Sequence, residues 1–316
     1  MNILLPRKLK LEENVANIWP EFGSNRKDLI KVHHVLNHTS GLHNALANIT
    51  REDPLQLSDW DECLNHIALS VPETEPGQEQ LYHHLSFGWL CGGIIEHASG
   101  KKFKEILEEA FIHPLQIEGE LYIGIPPGKC VESRLATLTI DKDDLQKLLG
   151  VCSRLATRTL DKDDHEKLLR VISRFDIPST IQPGDVSQAA TTLPVIFNSL
   201  NVRRAIIPAA NGHCSARALA RYYAALADGG FRRAISKDGS IVGFGHSGLG
   251  GSTGFADMNN RFAIAVTVNK MSFGAVTGNI INFVCSELNI PVPEEFSIFS
   301  EMGPNAQICL GRLLNN

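Results

Sequence analysis

Six glycines crowd residues 243–254 (Gly243, Gly245, Gly248, Gly250, Gly251 and Gly254), with His246 and Ser247 among them. Glycine permits positive φ and close backbone approach. An ordinary turn needs one or two, so this density points to backbone shaped to approach something. The following run, Arg261-Phe-Ala-Ile-Ala-Val-Thr-Val268, alternates large and small residues and reads as a strand. The stretch 244–257 therefore predicts a strand edge followed by a glycine-rich turn.

The 316 residues can bury one large core or two smaller ones. At 43% hydrophobic and 21% charged, the composition is that of a globular protein. A net charge of −5 gives no basis for a nucleic-acid or anionic-membrane partner. No 18-residue apolar run occurs, so no membrane insertion is expected. The 12 histidines show no HExxH or other metal-ligand spacing, and no metal or other cofactor is expected. Seven scattered cysteines, odd in number and without CxxC, suggest free thiols in a reducing compartment. The N-terminal apolar run is too short for a signal-peptide core. The expectation is an intracellular location, cytoplasmic or organelle matrix.

Along the chain, Val32–Leu36 reads as a short helix and His38-Thr-Ser-Gly-Leu42 as a turn. Residues 54–70 are amphipathic. Residues 85–97 are apolar and rich in small residues, and Ser99-Gly100 would cap a helix there. A second helix is predicted over 103–111, ended by Pro114, and a strand over 121–125. Residues 133–151 recur almost unchanged as 153–171, a tandem duplication rather than a solenoid. Residues 189–200 read as helix or loop. Ser215 would cap a helix whose face carries Ala218, Leu219, Tyr222, Ala225 and Leu226. A last helix over about 274–288 would turn Ile280, Ile281, Val284 and Leu288 inward. Strands between helices suggest an α+β domain with an antiparallel sheet.

His246-Ser247-Gly248 has three readings: a turn with chance neighbours, a metal ligand without partners, or a strand-borne triplet lining an acyl-binding cleft. Residues 243–248 match GxGxxG literally, but a strand follows, so the phosphate-cradling logic fails. Ser24-Asn-Arg-Lys27 and Ser99-Gly-Lys-Lys102 match the Ser-x-x-Lys pair of penicillin-recognising enzymes. That chemistry needs serine at a buried helix N-terminus with lysine one turn later. Ser24 lies in a polar stretch and Ser99 at a helix end, so context reads both as chance matches. Tyr82-His-His-Leu-Ser-Phe-Gly-Trp-Leu90 precedes a helix, and Tyr82 is read either as packing or as a general base whose phenolate nearby cations stabilise.

Taken together, His38-Thr-Ser-Gly-Leu42, Tyr82–Leu90, Ser215–Tyr223 and His246–Asp257 stand in the order seen in the serine β-lactamase-like superfamily. The chain resembles its class C and esterase branch. It is most similar to the type fused in plants behind an atypical kinase-like domain, which the resemblance makes a candidate partner. The resemblance covers roughly residues 8–290 and implies a mixed α/β (α+β) fold: an antiparallel sheet flanked by helices with a helical subdomain. The expected domain is 1–293, followed by a tail at 294–316. By resemblance Tyr82 is the proton carrier, His246-Ser247-Gly248 matches the family's Lys-Thr-Gly strand triplet, and the Leu249 N–H gives half the oxyanion hole. Gly248, Leu249 and Gly250 would line the site of a small ester, amide or carboxylate ligand.

The resemblance also places the Ser-x-x-Lys helix upstream of Leu9-Lys-Leu-Glu-Glu13, where this chain begins. The expectation is an N-terminally incomplete domain without its nucleophile or early strands, a pseudoenzyme with little or no hydrolase activity. The rival is a non-catalytic module that keeps the cleft for a ligand or a protein. A third reading recruits Ser86, four residues after Tyr82, as nucleophile, although Ser86 is expected to begin a helix and pack inside.

Overall fold

The computed structural model describes residues 9–140, 192–227, 234–235, 241–248, 250–271, 275–293 and 296. In chain order the helices and strands run α1 (Val32–Leu36), α2 (Ala47–Glu52), α3 (Trp60–Leu69), α4 (Ser86–Ser99), α5 (Phe103–Leu107), α6 (His113–Leu115), β1 (Leu121–Ile123), α7 (Lys129–Glu132) and β2 (Thr139–Ile140). They continue with α8 (Leu200–Arg204), β3 (Gly212–Cys214), α9 (Ala216–Ala227), β4 (Ala234–Ile235), β5 (Ile241–Ser247), β6 (Thr253–Asp257), β7 (Phe262–Val266), β8 (Lys270–Met271) and α10 (Ala275–Glu287). A helical stretch also covers 192–198. The described residues fall into two units, one from the spans 1–135 and 199–213, the other from 136–198 and 214–316. Of the tandem duplication, only residues 133–140 of the first copy lie among the described residues, and the tail beyond Phe296 lies outside them.

The first unit is mainly helical and is organised around α4. Its small residues let aromatic rings come close: a Cβ on Gly92 would lie 2.4 Å from the Trp60 ring, and one on Gly93 2.6 Å from Trp19. Trp89, Leu90 and Ile94 fill the same helix with buried apolar surface. Gly100 ends it in the left-handed region (φ 69°), where its N–H meets the Glu96 carbonyl at 2.8 Å.

The amphipathic stretch at 54–70 is two elements, a 3-10 turn over Pro54–Ser58 and α3. Asp59 separates them, because its carboxylate accepts the Glu62 N–H at 3.0 Å and restarts the helix as an N-cap. α3 buries Cys63, Leu64, Ile67 and Ala68 on one face.

Pro114 does not end the second helix. α5 passes through a π-helical turn at Glu108–Ile112 into α6, and the stop comes at Gln116 (φ 51°). Pro114 sits in the first turn of α6. The chain is already in π-helical geometry before it, so the proline falls where the ordinary α-helical hydrogen-bond ladder is interrupted.

The second unit contains a four-stranded antiparallel sheet in the order β4-β5-β6-β7. The glycine-rich segment after β5 holds a turn and then a further strand, β6, which pairs with β5 with Ser247 opposite Thr253 and Gly243 opposite Asp257. β7 then pairs with β6 from Thr253↔Val266 to Asp257↔Phe262. Asp257 fixes this second corner: its carboxylate accepts the Asn260 backbone N–H at 2.9 Å and the Asn260 side-chain amide at 2.8 Å. β2 and β8 form a separate short parallel pair.

Helices cover both faces of this sheet. On one face, Tyr223 of α9 stacks on Phe244 of β5 (ring centroids 5.9 Å apart), and a Cβ on Gly254 would lie 2.1 Å from the Tyr223 ring. Ser215 caps α9, its hydroxyl accepting the Ala218 N–H at 3.0 Å. On the other face, Phe255 packs with Ile281 and Cys285 of α10 and with Phe296, joined by Phe262, Ile264 and Val266. The inward stripe of α10 is therefore Thr277, Ile281 and Cys285. Ile280 and Leu288, expected inward, are exposed at 41% and 54%. Ile281, expected inward, is fully buried, and Val284 is half-buried.

Candidate functional site

The first unit holds the Tyr82 loop, built on the His38–Leu42 turn. His38 takes a left-handed conformation (φ 62°) and Gly41 another (φ 75°). Only glycine fits the second position, since a Cβ there would lie 2.4 Å from the Thr74 carbonyl oxygen. The turn then pins the segment leading to Tyr82. Glu73 N–H donates to Gly41 O at 2.9 Å, Gly77 N–H to Thr39 O at 2.8 Å and Leu81 N–H to His38 O at 3.0 Å. The His83 N–H reaches His38 Nδ1 at 3.2 Å.

His83 is fully buried and makes two ring contacts, to the Ser40 hydroxyl at 2.7 Å through Nε2 and to the Leu81 carbonyl at 2.6 Å through Nδ1. The carbonyl can only accept, so Nδ1 carries the proton and Nε2 accepts from Ser40. Burial pushes the His83 pKa down to about 4, against its hydrogen bond to Leu81, with His43 and His84 adding smaller downward effects. Burial also lowers His84. Tyr82 lies half-buried between two rings, His38 at 4.7 Å and His84 edge-on at 5.0 Å. Burial disfavours the charged forms of His83 and His84, which works against either ring supplying the cation weighed from the sequence as a partner of the Tyr82 phenolate.

Each serine weighed as a nucleophile in this unit is tied to the backbone. Ser86 is buried, and its hydroxyl donates to the Leu42 carbonyl at 2.8 Å, within 3.3 Å of that of His43. Ser24 donates to Ala68 O at 2.8 Å, Asn25 Nδ2 to Leu69 O at 2.7 Å, and Lys27 Nζ to Ser70 O. The Ser-x-x-Lys match at 24–27 is thus a set of donors capping the C-terminus of α3, whose last carbonyls lack helical partners. Lys27 is buried over the Phe22 ring (5.5 Å), and burial lowers its pKa to about 8. Ser99 Oγ takes the Lys101 N–H at 3.1 Å at the end of α4, and exposed Lys102 faces Glu96 and Asp61.

The second unit holds His246, Ser247, Gly248 and Gly250. His246 stands opposite Gly254, on the face that α9 covers, and is exposed. Ser247 stands opposite Thr253, and Thr253 Oγ1 lies 3.1 Å from Ser247 Oγ and 3.4 Å from Thr277 Oγ1 of α10. Successive strand residues point to opposite faces. His246 and Ser247 are therefore neighbours in sequence that serve different faces of the sheet, and the pair does not present two groups to one cleft. Gly248 N–H closes the turn onto Ser252 O at 2.9 Å, and nothing approaches a Cβ position on Gly250. Leu249 lies outside the described residues. Tyr82 belongs to the other unit from the triplet.

The sequence reading missed Ser40, His83, Thr253 and Thr277. Ser40 and His83 lie inside recognised motifs, but their hydrogen bond spans 43 residues and leaves no local signature. Among the described residues no cluster of three or more His, Cys, Asp or Glu could hold a metal ion, and no helix is long and apolar enough to cross a membrane.

The chain is 29% identical over 310 residues to the Esterase/beta-lactamase LipL of Mycobacterium tuberculosis (strain ATCC 25618 / H37Rv), covering 86% of this chain and 66% of that protein. It thus spans slightly less than two thirds of that relative's length. In fold it is similar to a family VIII carboxylesterase (TM-score 0.58, 21% identity, 97% of this chain and 76% of that one). It is also similar to a penicillin-binding protein homologue from Caulobacter crescentus (TM-score 0.54, 25% identity, 83% of this chain and 71% of that one). The likeness fits the mixed α/β arrangement of helices and small sheets described above. The Beta-lactamase family model matches residues 2–280, and the chain belongs to that family.

Proposed function

We propose that this chain is a serine-hydrolase-type domain of the esterase and β-lactamase kind, shaped for a small ester, amide or carboxylate, with Tyr82 as its proton carrier. One observation carries the reading. Tyr82 is partly exposed, while the residues on both sides of it are fastened to the His38–Ser40 turn. A proton carrier needs a group that is reachable yet fixed. His246 supplies an exposed polar group at the edge of the acyl site, which Gly248, Leu249 and Gly250 line in this reading.

Turnover by this chain is weak or absent in this reading. The serines offered by its Ser-x-x-Lys matches, and Ser86, have their hydroxyls engaged with backbone groups. The scattered thiols, five of them free among the described residues, favour a reducing compartment. The motif order favours kinship with plant proteins carrying an atypical kinase-like domain.

The test is hydrolysis of p-nitrophenyl acetate and nitrocefin by the purified chain. Rates near background are expected. Robust turnover abolished by Tyr82→Phe would refute the low-activity half and keep the role of Tyr82. Saturable binding of a carboxylate without turnover, lost in His246→Ala, would favour a binding module.

A further inference from the structure

We infer that Ser40 and His83 form a buried positioning pair that sets the place of Tyr82. The inference rests on the reading of Tyr82 as proton carrier. His83 directly follows Tyr82, and its two ring nitrogens are both committed, one to the Ser40 hydroxyl and one to the Leu81 carbonyl. Leu81 is the residue on the other side of Tyr82, so the imidazole of the following residue holds the carbonyl of the preceding one. Its own backbone N–H is held by His38 Nδ1, and the Leu81 N–H by His38 O. The His38 ring then lies against Tyr82 at 4.7 Å.

A hydroxyl hydrogen-bonded to an imidazole whose second nitrogen is oriented by an acceptor is the arrangement of an activated serine. Ser40 and His83 are both fully buried, so no substrate reaches this hydroxyl. The pair acts through Tyr82 instead. A phenol misplaced by a fraction of an ångström loses proton-transfer geometry without losing ligand contacts, so the effect belongs in kcat rather than KM.

The experiment uses the full chain with 3-fluorotyrosine at its four tyrosines. The 19F resonance of Tyr82 is identified by its loss in Tyr82→Phe. Ser40→Ala and His83→Asn are each expected to displace or broaden that resonance and leave the other three in place, which separates local release from unfolding. Ser40→Cys, which weakens the bond without emptying the site, carries the same expectation if the alanine variant fails to fold. His83→Gln, whose amide reaches toward Ser40, should restore the signal in part. Acetylation of Tyr82 by N-acetylimidazole should rise, and any p-nitrophenyl acetate turnover above background should fall in kcat with KM held within about twofold. An unmoved Tyr82 resonance with unchanged acetylation in Ser40→Ala, Ser40→Cys and His83→Asn overturns the inference. A parent that turns over above background and a Tyr82→Phe variant that keeps its full rate overturn the functional reading instead, and the resonance still decides whether the pair positions the ring.

Discussion

The ring of Tyr223 occupies the space in which a side chain on Gly254 would have to begin, with a Cβ there only 2.1 Å from a ring carbon. The glycine at this point of β6 is a packing requirement of α9, and the backbone approaches an aromatic ring of its own chain. Gly254→Ala is expected to destabilise the protein by about 1–3 kcal/mol, since the ring has to leave its packed place over Phe244. Gly250→Ala, with no atom within 4 Å of its Cβ position, should stay within about 0.5 kcal/mol of the parent. Urea midpoints for the two variants check this, and equal midpoints would contradict it.

His83 gives the fold an acid limit. Its folded pKa, about 4, lies below the ordinary 6.5 because burial disfavours the charged ring. Between those values the unfolded chain binds more protons than the folded one, so stability rises with pH across the window and is lost as pH falls from about 6.5 toward 4. Burial lowers His34, His84 and His213 as well, and they act in the same direction. The expected result is a melting temperature that falls steadily from pH 6.5 to 4, with a shallower fall in His83→Gln. A slope identical in both proteins would remove His83 from the account.

Lys27 acts at the alkaline end. Burial lowers its pKa to about 8 from 10.5, so the folded state releases this proton first. Stability therefore rises as pH climbs from about 8 to 10.5, and that gain is lost on returning below 8. Lys27→Met removes the buried ammonium and its contact with the Phe22 ring while filling the space with an unbranched apolar side chain. The variant should show no such alkaline gain when melting is followed at pH 7, 8, 9 and 10. A gain that persists in it would assign the proton elsewhere.

Thr253 joins the two sides of the hairpin to α10 through hydroxyls. Its Oγ1 lies 3.1 Å from Ser247, 3.4 Å from Thr277 and 3.4 Å from the Gly251 carbonyl, all in a buried setting. Thr253→Val leaves those groups short of a partner and should cost about 1–3 kcal/mol. In a double-mutant cycle with Ser247→Ala the losses should be less than additive, because both substitutions remove the same contact. Strict additivity would show that the hydroxyls do not interact.

Elements with strong local codes were legible before the structure. α9 announces itself by the Ser215 cap and α4 by the Gly100 stop, and both stand within a residue or two of their expected ends. β6 was not legible, because Gly254 and Ala256 give a strand too little side chain to show alternation, and its identity comes from the partners β5 and β7. The face of α10 was read correctly at Ile281 and wrongly at Ile280 and Leu288. Periodicity gives two apolar stripes, and only the sheet chooses the one containing Thr277, Ile281 and Cys285, which meets Phe255 and Thr253. At the candidate site, Tyr82 and the triplet at 246–248 were visible as motifs. The Ser40–His83 bond was not, since it joins two loops that only the fold brings together.

The opposite orientations of His246 and Ser247 separate two kinds of freedom within one dipeptide. Position 246 is exposed, on the face that α9 covers. Position 247 answers to Thr253 and the helix beyond it, so changes there are felt first as lost stability. A library that varies the two together would confound ligand preference with expression, whereas one that holds Ser247 and samples position 246 alone would read preference directly.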